Sequence, residues 1–157
     1  MAVRPVPEGY SSLTPYLIVA GAADAIEFYK HVFDARELMR FGGPDGKVAH
    51  AELQIGDARL MLSDEHPQMG FRSPQSLGGS GTGIMLYVTD VDRVFTRALD
   101  AGAKTHQEVK NQFYGDRSGT LIDPYGHVWT IATHVEDVSE EEMQRRMEES
   151  MRASASR

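Results

Sequence analysis

The chain contains no cysteine, which excludes disulfides, thiolate metal sites and a thiol nucleophile. No apolar run approaches the ~18–20 residues that a membrane span needs, and the first residues, MAVRPVPEGYSS, lack the apolar stretch of a secretory signal. Positive charge is in short supply. Sixteen Lys and Arg face 23 Asp and Glu, a net charge of −7, which argues against a nucleic-acid partner because phosphates need a basic surface. Several catalytic signatures are missing as well. GGPDGK (42–47) has the wrong glycine spacing for a phosphate loop, and GGSGTG (78–83) does not fit the dinucleotide pattern. There is no G-x-S-x-G elbow, and the six His residues include no H-E-x-x-H. The expectation is a soluble, cytoplasmic protein that contacts neither membrane nor nucleic acid.

What is present suits a globular fold. The 157 residues are 41% hydrophobic and 25% charged, enough for one domain or for two small modules sharing a core. Residues 1–12 read as an extended lead-in, because Pro5, Pro7 and Gly9 discourage a helix. Pro15–Val19 reads as a buried strand. Ala25, Phe28, Tyr29, Val32 and Phe33 then recur at helical spacing. Strand patterns follow at 35–41, Val48–Ile55 and Ala58–Ser63, the last two forming a hairpin about Gly56-Asp57. The same order returns in the second half. Ile84–Val88 is a strand, Asp90 caps a helix with Val91, Val94, Phe95, Ala98 and Leu99 on one face, and Gly102 ends it. Strand patterns follow at 104–109, 119–122 and 127–132, with Asp123-Pro124-Tyr125-Gly126 as a turn. Each half is therefore β-α-β-β-β, with boundaries at 13–65 and 83–135.

Two segments lie outside this repeat. Residues 66–82 form a Gly-, Pro- and Ser-rich loop, either a lid carrying Met69, Phe71 and Arg72 or a plain linker. Residues 136–157 form an acidic tail. Ser139 and Glu142 make a capping box, and Met143, Met147 and Met151 form a stripe suited to a partner subunit or to the chain's own surface. Glu136 to Glu149 holds seven carboxylates against two arginines, so much of the negative charge is local to the tail.

Five segments carry a family resemblance: PYLIVAGAADAIEFYKHVFDA (15–35), GPDGKVAHAELQIGDARLMLSDE (43–65), YVTDVDRVFTRALDAGA (87–103), YGDRSGTLIDPYGHVW (114–129) and THVEDVSEEEMQRR (133–146). In order and spacing they resemble the vicinal oxygen chelate superfamily (glyoxalase I, bleomycin-resistance proteins and extradiol dioxygenases), in its PhnB-like branch. The resemblance implies an α+β fold. Two βαβββ modules would form a curved mixed sheet around a concave cavity, with the helices on the convex side. It also implies a homodimer, in some members with modules exchanged between subunits.

Metal-dependent members of that superfamily hold a divalent ion with His, Glu or Gln at four inward positions. By strand register these fall here on Thr14, on Met61 or Ser63, on Gly83 and on Thr130. None is a His or carboxylate, and hard or borderline divalent ions need several such ligands. No metal residue is therefore assigned and no cofactor is expected, a divalent ion at an atypical site being the open alternative.

Strand parity sets His50 and Glu52 on one face with Val48, opposite Ala49, Ala51 and Leu53. The small, apolar set suits packing under helices, which turns His50 and Glu52 toward the cavity as a candidate proton-transfer pair. Tyr16, Met61, Met85, Tyr87 and Thr130 are candidate cavity lining. Tyr114 offers a stacking surface, and Arg117 a partner for a ligand carboxylate or phosphate. The lone Trp129 falls on the face opposite Thr130 and reads as core, with His127 at the edge of the turn. Two functions follow. One is a bleomycin-resistance-like protein binding a small organic molecule in its cavity with the metal positions lost. The other is a glyoxalase-like lyase or isomerase, or a dioxygenase-like enzyme, using His50 and Glu52 with an atypical metal or none.

Overall fold

The computed structural model describes residues 3–156. The first module runs β1 (Tyr16–Val19), α1 (Ala22–Phe33), β2 (Arg36–Gly42), β3 (Val48–Ile55) and β4 (Ala58–Asp64). A connection holding the short helix α2 (Pro74–Leu77) leads to the second module. That module comprises β5 (Gly83–Tyr87), α3 (Val91–Asp100), β6 (Lys104–Asn111), β7 (Asp116–Ile122) and β8 (Val128–His134), followed by α4 (Glu140–Ala155). The strands form two four-stranded mixed sheets, ordered β1-β4-β3-β2 and β5-β8-β7-β6. The expected α+β fold and its βαβββ repeat are present, each module contributing one mixed sheet with matching strand order. Among the described residues no helix is long and apolar enough to cross a membrane.

The repeat is visible in the register. Tyr16 pairs with Met61 in the first sheet, and Met85 pairs with Thr130 in the second, both 69 residues on. The same offset relates Asp64 to Thr133, and both solve one problem. A helix starts with backbone N–H groups that have no partner inside it. At α1 the preceding residue is Gly21, which has no side chain to offer and sits at φ 94°. Asp64 Oδ1 accepts instead from Gly21 and Ala22, each at 2.9 Å, while Oδ2 accepts from Val48 at 2.7 Å. At α3 the Thr133 hydroxyl accepts from Val91 N–H and donates to the Val88 carbonyl, both at 2.9 Å. Asp90 caps the same helix as expected, accepting from Arg93 N–H.

The core lies between the sheets and one helix layer. Ala25, Ile26, Tyr29 and Val32 of α1 and Val91, Phe95 and Ala98 of α3 are buried over Leu53, Leu62, Leu121 and Ile131. Trp129, on the helix side of β8, joins the modules. Its ring lies 4.5 Å from Phe33 and 5.5 Å from Tyr29 between centroids. Beneath this cluster Asp123, 3% exposed, collects four donors. These are Tyr29 Oη at 2.6 Å, Trp129 Nε1 at 2.9 Å and the backbone N–H groups of Tyr125 and His127. Burial and the adjacent Asp123 carboxylate hold the Tyr29 hydroxyl well above its ordinary pKa, so it remains a donor. His127 Nε2 lies 2.9 Å from the Ile18 carbonyl and ties the two sheets at their edges.

Two local patterns depart from alternation. β3 opens with a bulge against β2, where the register slips between Phe41 and Gly42. Val48 is therefore buried and Ala49 exposed, the reverse of simple parity. At the tail, Ser139 accepts from Glu142 N–H, but the Glu142 carboxylate binds Arg145 and Arg146, so only half of the capping box forms. No residue of α4 is buried, and Met151 is 62% exposed.

Candidate functional site

Each sheet has one face under the helices and one open. On β3 the residues after the bulge alternate regularly: Ala51, Leu53 and Ile55 are buried, while His50, Glu52 and Gln54 turn to the open face. Tyr16 and Met61 lie beside them, since Met61 pairs with both Tyr16 and Glu52. Phe41 stands opposite His50 on β2, its ring stacked at 25° with centroids 6.3 Å apart.

These residues form a hydrogen-bonded chain. The Tyr10 hydroxyl donates to Glu52 Oε2. Glu52 Oε1 lies 3.2 Å from His50 Nε2, and His50 Nδ1 lies 2.9 Å from the Tyr16 hydroxyl. The Tyr10 bond is the largest influence holding the Glu52 carboxyl below its ordinary pKa, with His50 adding to it against the opposing effect of burial. Burial and the bond to Glu52 push the Tyr10 phenol up. Glu52 is thus an acceptor at neutral pH, which makes His50 Nε2 the donor. In the neutral imidazole Nδ1 is then free to accept from Tyr16. A carboxylate that orients an imidazole whose other nitrogen faces a hydroxyl is the arrangement of a general base and its positioning group.

The lead-in supplies Tyr10, which the sequence pattern did not single out. Its ring lies under the Arg59 guanidinium, whose central carbon is 4.6 Å from the ring centroid. Arg59 shares a face of β4 with Met61, so parity was a signal for it. No spacing marked Tyr10, because the lead-in belongs to no periodic element.

The second module presents a different open face. Met85, Tyr87 and Thr130 lie on it, with Gly83 beside them and the small residues Ser118, Thr120 and Ala132 buried at its floor. Thr130 hydrogen-bonds Thr120 at 2.9 Å. At one end the Tyr87 hydroxyl donates to Asp116 at 2.8 Å. His134 Nδ1 lies 2.8 Å from the same carboxylate, and its Nε2 lies 2.9 Å from Asp137. Asp137 and then Asp116 hold the His134 imidazolium, raising its pKa above the ordinary value. The Asp116 bond is the largest influence raising the Tyr87 hydroxyl, and Tyr114 is near enough to add to it.

Of the nine expected site residues, seven share the open faces: His50, Glu52, Tyr16, Met61, Met85, Tyr87 and Thr130. Tyr114 stands at the rim. Arg117 is a correction. It lies on the helix side of β7, where its guanidinium takes both oxygens of Asp92 at 2.7 and 2.8 Å. β7 begins at Asp116, three residues earlier than the pattern suggested, and that start fixes which side Arg117 faces.

The donor chemistry of the superfamily's metal positions does not fit a divalent ion. Met61 and Thr130 face the open side, and among the described residues no group of three or more His, Asp or Glu is placed to hold a metal. The inter-module loop borders a cleft of about 320 Å³ against β1, lined by Tyr16, Ile18, Leu77, Ile84, His127 and Arg72. At the start of that loop Glu65 Oε1, just past β4, accepts from Ser73 N–H at 2.6 Å, and the Ser73 and Ser76 bonds lower the Glu65 carboxyl to about 2. Met69 and Phe71 are exposed, at 68% and 48%.

Comparison with known proteins places this geometry. Residues 12–131 match the family model of the Glyoxalase/Bleomycin resistance protein/Dioxygenase superfamily. An uncharacterized protein of Mycobacterium tuberculosis is 48% identical over 139 residues, covering 87% of this chain and 82% of that one. The crystal structure of TioX from Micromonospora sp. ML1 superposes with a TM-score of 0.61 at 28% identity, over 80% of this chain and 99% of that one. A PhnB protein from Bacillus cereus has a TM-score of 0.61 at 18% identity, over 78% of this chain and 99% of that one, and shares the fold.

Proposed function

The chain belongs to the Glyoxalase/Bleomycin resistance protein/Dioxygenase superfamily, and from that premise we propose that it binds a small organic molecule on its open face without the superfamily's metal. The observation that carries this reading is the continuous hydrogen-bonded chain that orients His50 and Glu52 beside Met61 on the first module's open face. The positions to which the resemblance assigns the metal ligands carry Thr, Met and Gly, which supports a site without the metal. Tyr16 and Phe41 flank His50 and are 46% and 58% exposed, and Met85 and Tyr87 on the second module's sheet are 45% and 59% exposed, apolar side chains of the kind that mark binding surfaces. A second copy of the chain covers that face in this reading, giving a homodimer whose sites are closed by the partner. The net charge of −7 supports a protein without a nucleic-acid partner.

The test is a ligand panel of aromatic and metabolite compounds, read by melting temperature and by the His50 ring signals in NMR. Saturable shifts of His50 are expected. A panel in which no compound moves His50 or the melting temperature overturns the reading. Added Zn, Mn, Ni or Mg leaves the melting temperature unchanged in this reading, and a stoichiometric, stabilising metal reverses that part of it.

A second reading is favoured by the Glu52–His50–Tyr16 order. With Nε2 donated to Glu52, Nδ1 is the base, placed where a ligand hydroxyl replacing Tyr16 would lose its proton. This is a lyase or isomerase chemistry. In any turnover found, His50→Ala should abolish the rate, and an unchanged rate removes the assignment.

A further inference from the structure

The contact between lead-in and sheet has the geometry of a bound ligand. A phenol ring lies beneath the face of Arg59, and its hydroxyl donates to the Glu52 carboxylate. The approach is close. Gly9 sits at φ 81°, and a Cβ there would collide with the Arg59 guanidinium, so the backbone before Tyr10 lies against that side chain. Residues 3–9 are all exposed, and Tyr10 is the one half-buried residue of the stretch 3–13. The lead-in is therefore held to the sheet chiefly by this ring. Among the described residues Arg59 Nε is buried without a partner, a donor left over by the contact with Tyr10.

We propose that Glu52 and Arg59 form a clamp for the phenolic ring of a small-molecule ligand, and that Tyr10 is the chain's own competitor for it. The proposal rests on the reading of the open face as a small-molecule site and names its ligand class. Guanidinium over ring and hydroxyl to carboxylate recognise an aryl alcohol and discriminate against a ring without the donor. A tethered ring competes at an effective concentration on the order of millimolar. A ligand displaces it by adding contacts that Tyr10 lacks, to the free Arg59 Nε and to Met61, Phe41 and Tyr16 on the same face. Displacement swings out an exposed segment and uncovers no core.

The test uses p-cresol, the tyrosine side chain itself, on the full chain and on Tyr10→Ala. Binding is read by the His50 ring signals, and Trp129 fluorescence verifies the fold. The variant is expected to bind p-cresol saturably and at least about tenfold more tightly than the unaltered chain, since the competitor is gone. 4-Methylanisole, which cannot donate to Glu52, is expected to bind about tenfold or more weakly. Arg59→Gln in the Tyr10→Ala background should lose the p-cresol response. Equal p-cresol binding by variant and unaltered chain, or equal binding of the two compounds, overturns the clamp. If panel compounds still shift His50 while p-cresol does not bind Tyr10→Ala, the clamp alone fails. If His50 responds to nothing in either protein, the open-face reading fails with it.

Discussion

The two modules share one plan and differ in what they place on it. In the first, the positions facing the open side carry Tyr16, His50, Glu52, Arg59 and Met61. Their counterparts in the second carry Met85, Ser118, Thr120, Val128 and Thr130. The helix sides are alike, with small and branched apolar residues under α1 and α3. The framework is duplicated because each module must bury one sheet face and satisfy one helix start. The chemistry is free to diverge because the open faces carry no such requirement. Even the shared helix cap is unequal: Asp64 serves three backbone donors, Thr133 one.

The strongest way to break the comparison is at the point the modules share. Asp123→Ala leaves the buried hydroxyl of Tyr29 and the indole N–H of Trp129 without partners and is expected to cost about 4 kcal/mol. Urea unfolding followed by Trp129 fluorescence measures it, and a single transition for both modules is the expected form. The unequal caps come next. Asp64→Ala should cost about 3 kcal/mol and Thr133→Ala about 1 kcal/mol in the same assay. Equal losses would show that the two helix starts are equivalent after all.

Binding sharpens the contrast of the open faces. His50→Ala and Glu52→Gln should weaken any panel ligand about tenfold or more, whereas Ser118→Ala and Thr120→Val should stay within about twofold. Isothermal titration distinguishes them. The smallest effects are those of pH. Glu52 is held below its ordinary value, so its contribution is complete above the unfolded pKa and is lost as pH falls through the folded one. Tyr10 should release from the sheet on that acid limb, and Glu52→Gln should flatten it. His134 is held above its ordinary value, so its contribution is complete below the unfolded pKa and is lost as pH rises through the folded one. His134→Gln should flatten the melting profile above a pH of about 6.5. A profile unchanged by either variant would remove that network from the pH response.

Much of the fold was legible because burial imposes a period. Ala25 to Phe33 and Val91 to Ala98 marked α1 and α3, and alternation in 50–55 placed His50 and Glu52 on the open side with Leu53 beneath. Trp129 read as core from the same alternation and is 1% exposed. Parity failed at the bulge that opens β3, which exchanged Val48 with Ala49. Arg117 was misplaced for another reason: it lies inside β7, whose start the pattern set three residues too late, and its side chain turns to Asp92. His134 continues the face of Thr130 and Ala132, so alternation along β8 also marks it.

The sequence by itself determined the repeated βαβββ order and the face of His50 and Glu52. Each follows from residue type and local spacing, which act over a few positions along the chain. Only the tertiary structure decided that Tyr10 reaches Glu52 across 42 residues, that Asp64 caps a helix 42 residues before it, and that Asp123 gathers Tyr29 from 94 residues away. Such contacts join groups with no periodic relation in sequence. They form because a buried donor or acceptor takes whichever partner the fold brings within reach.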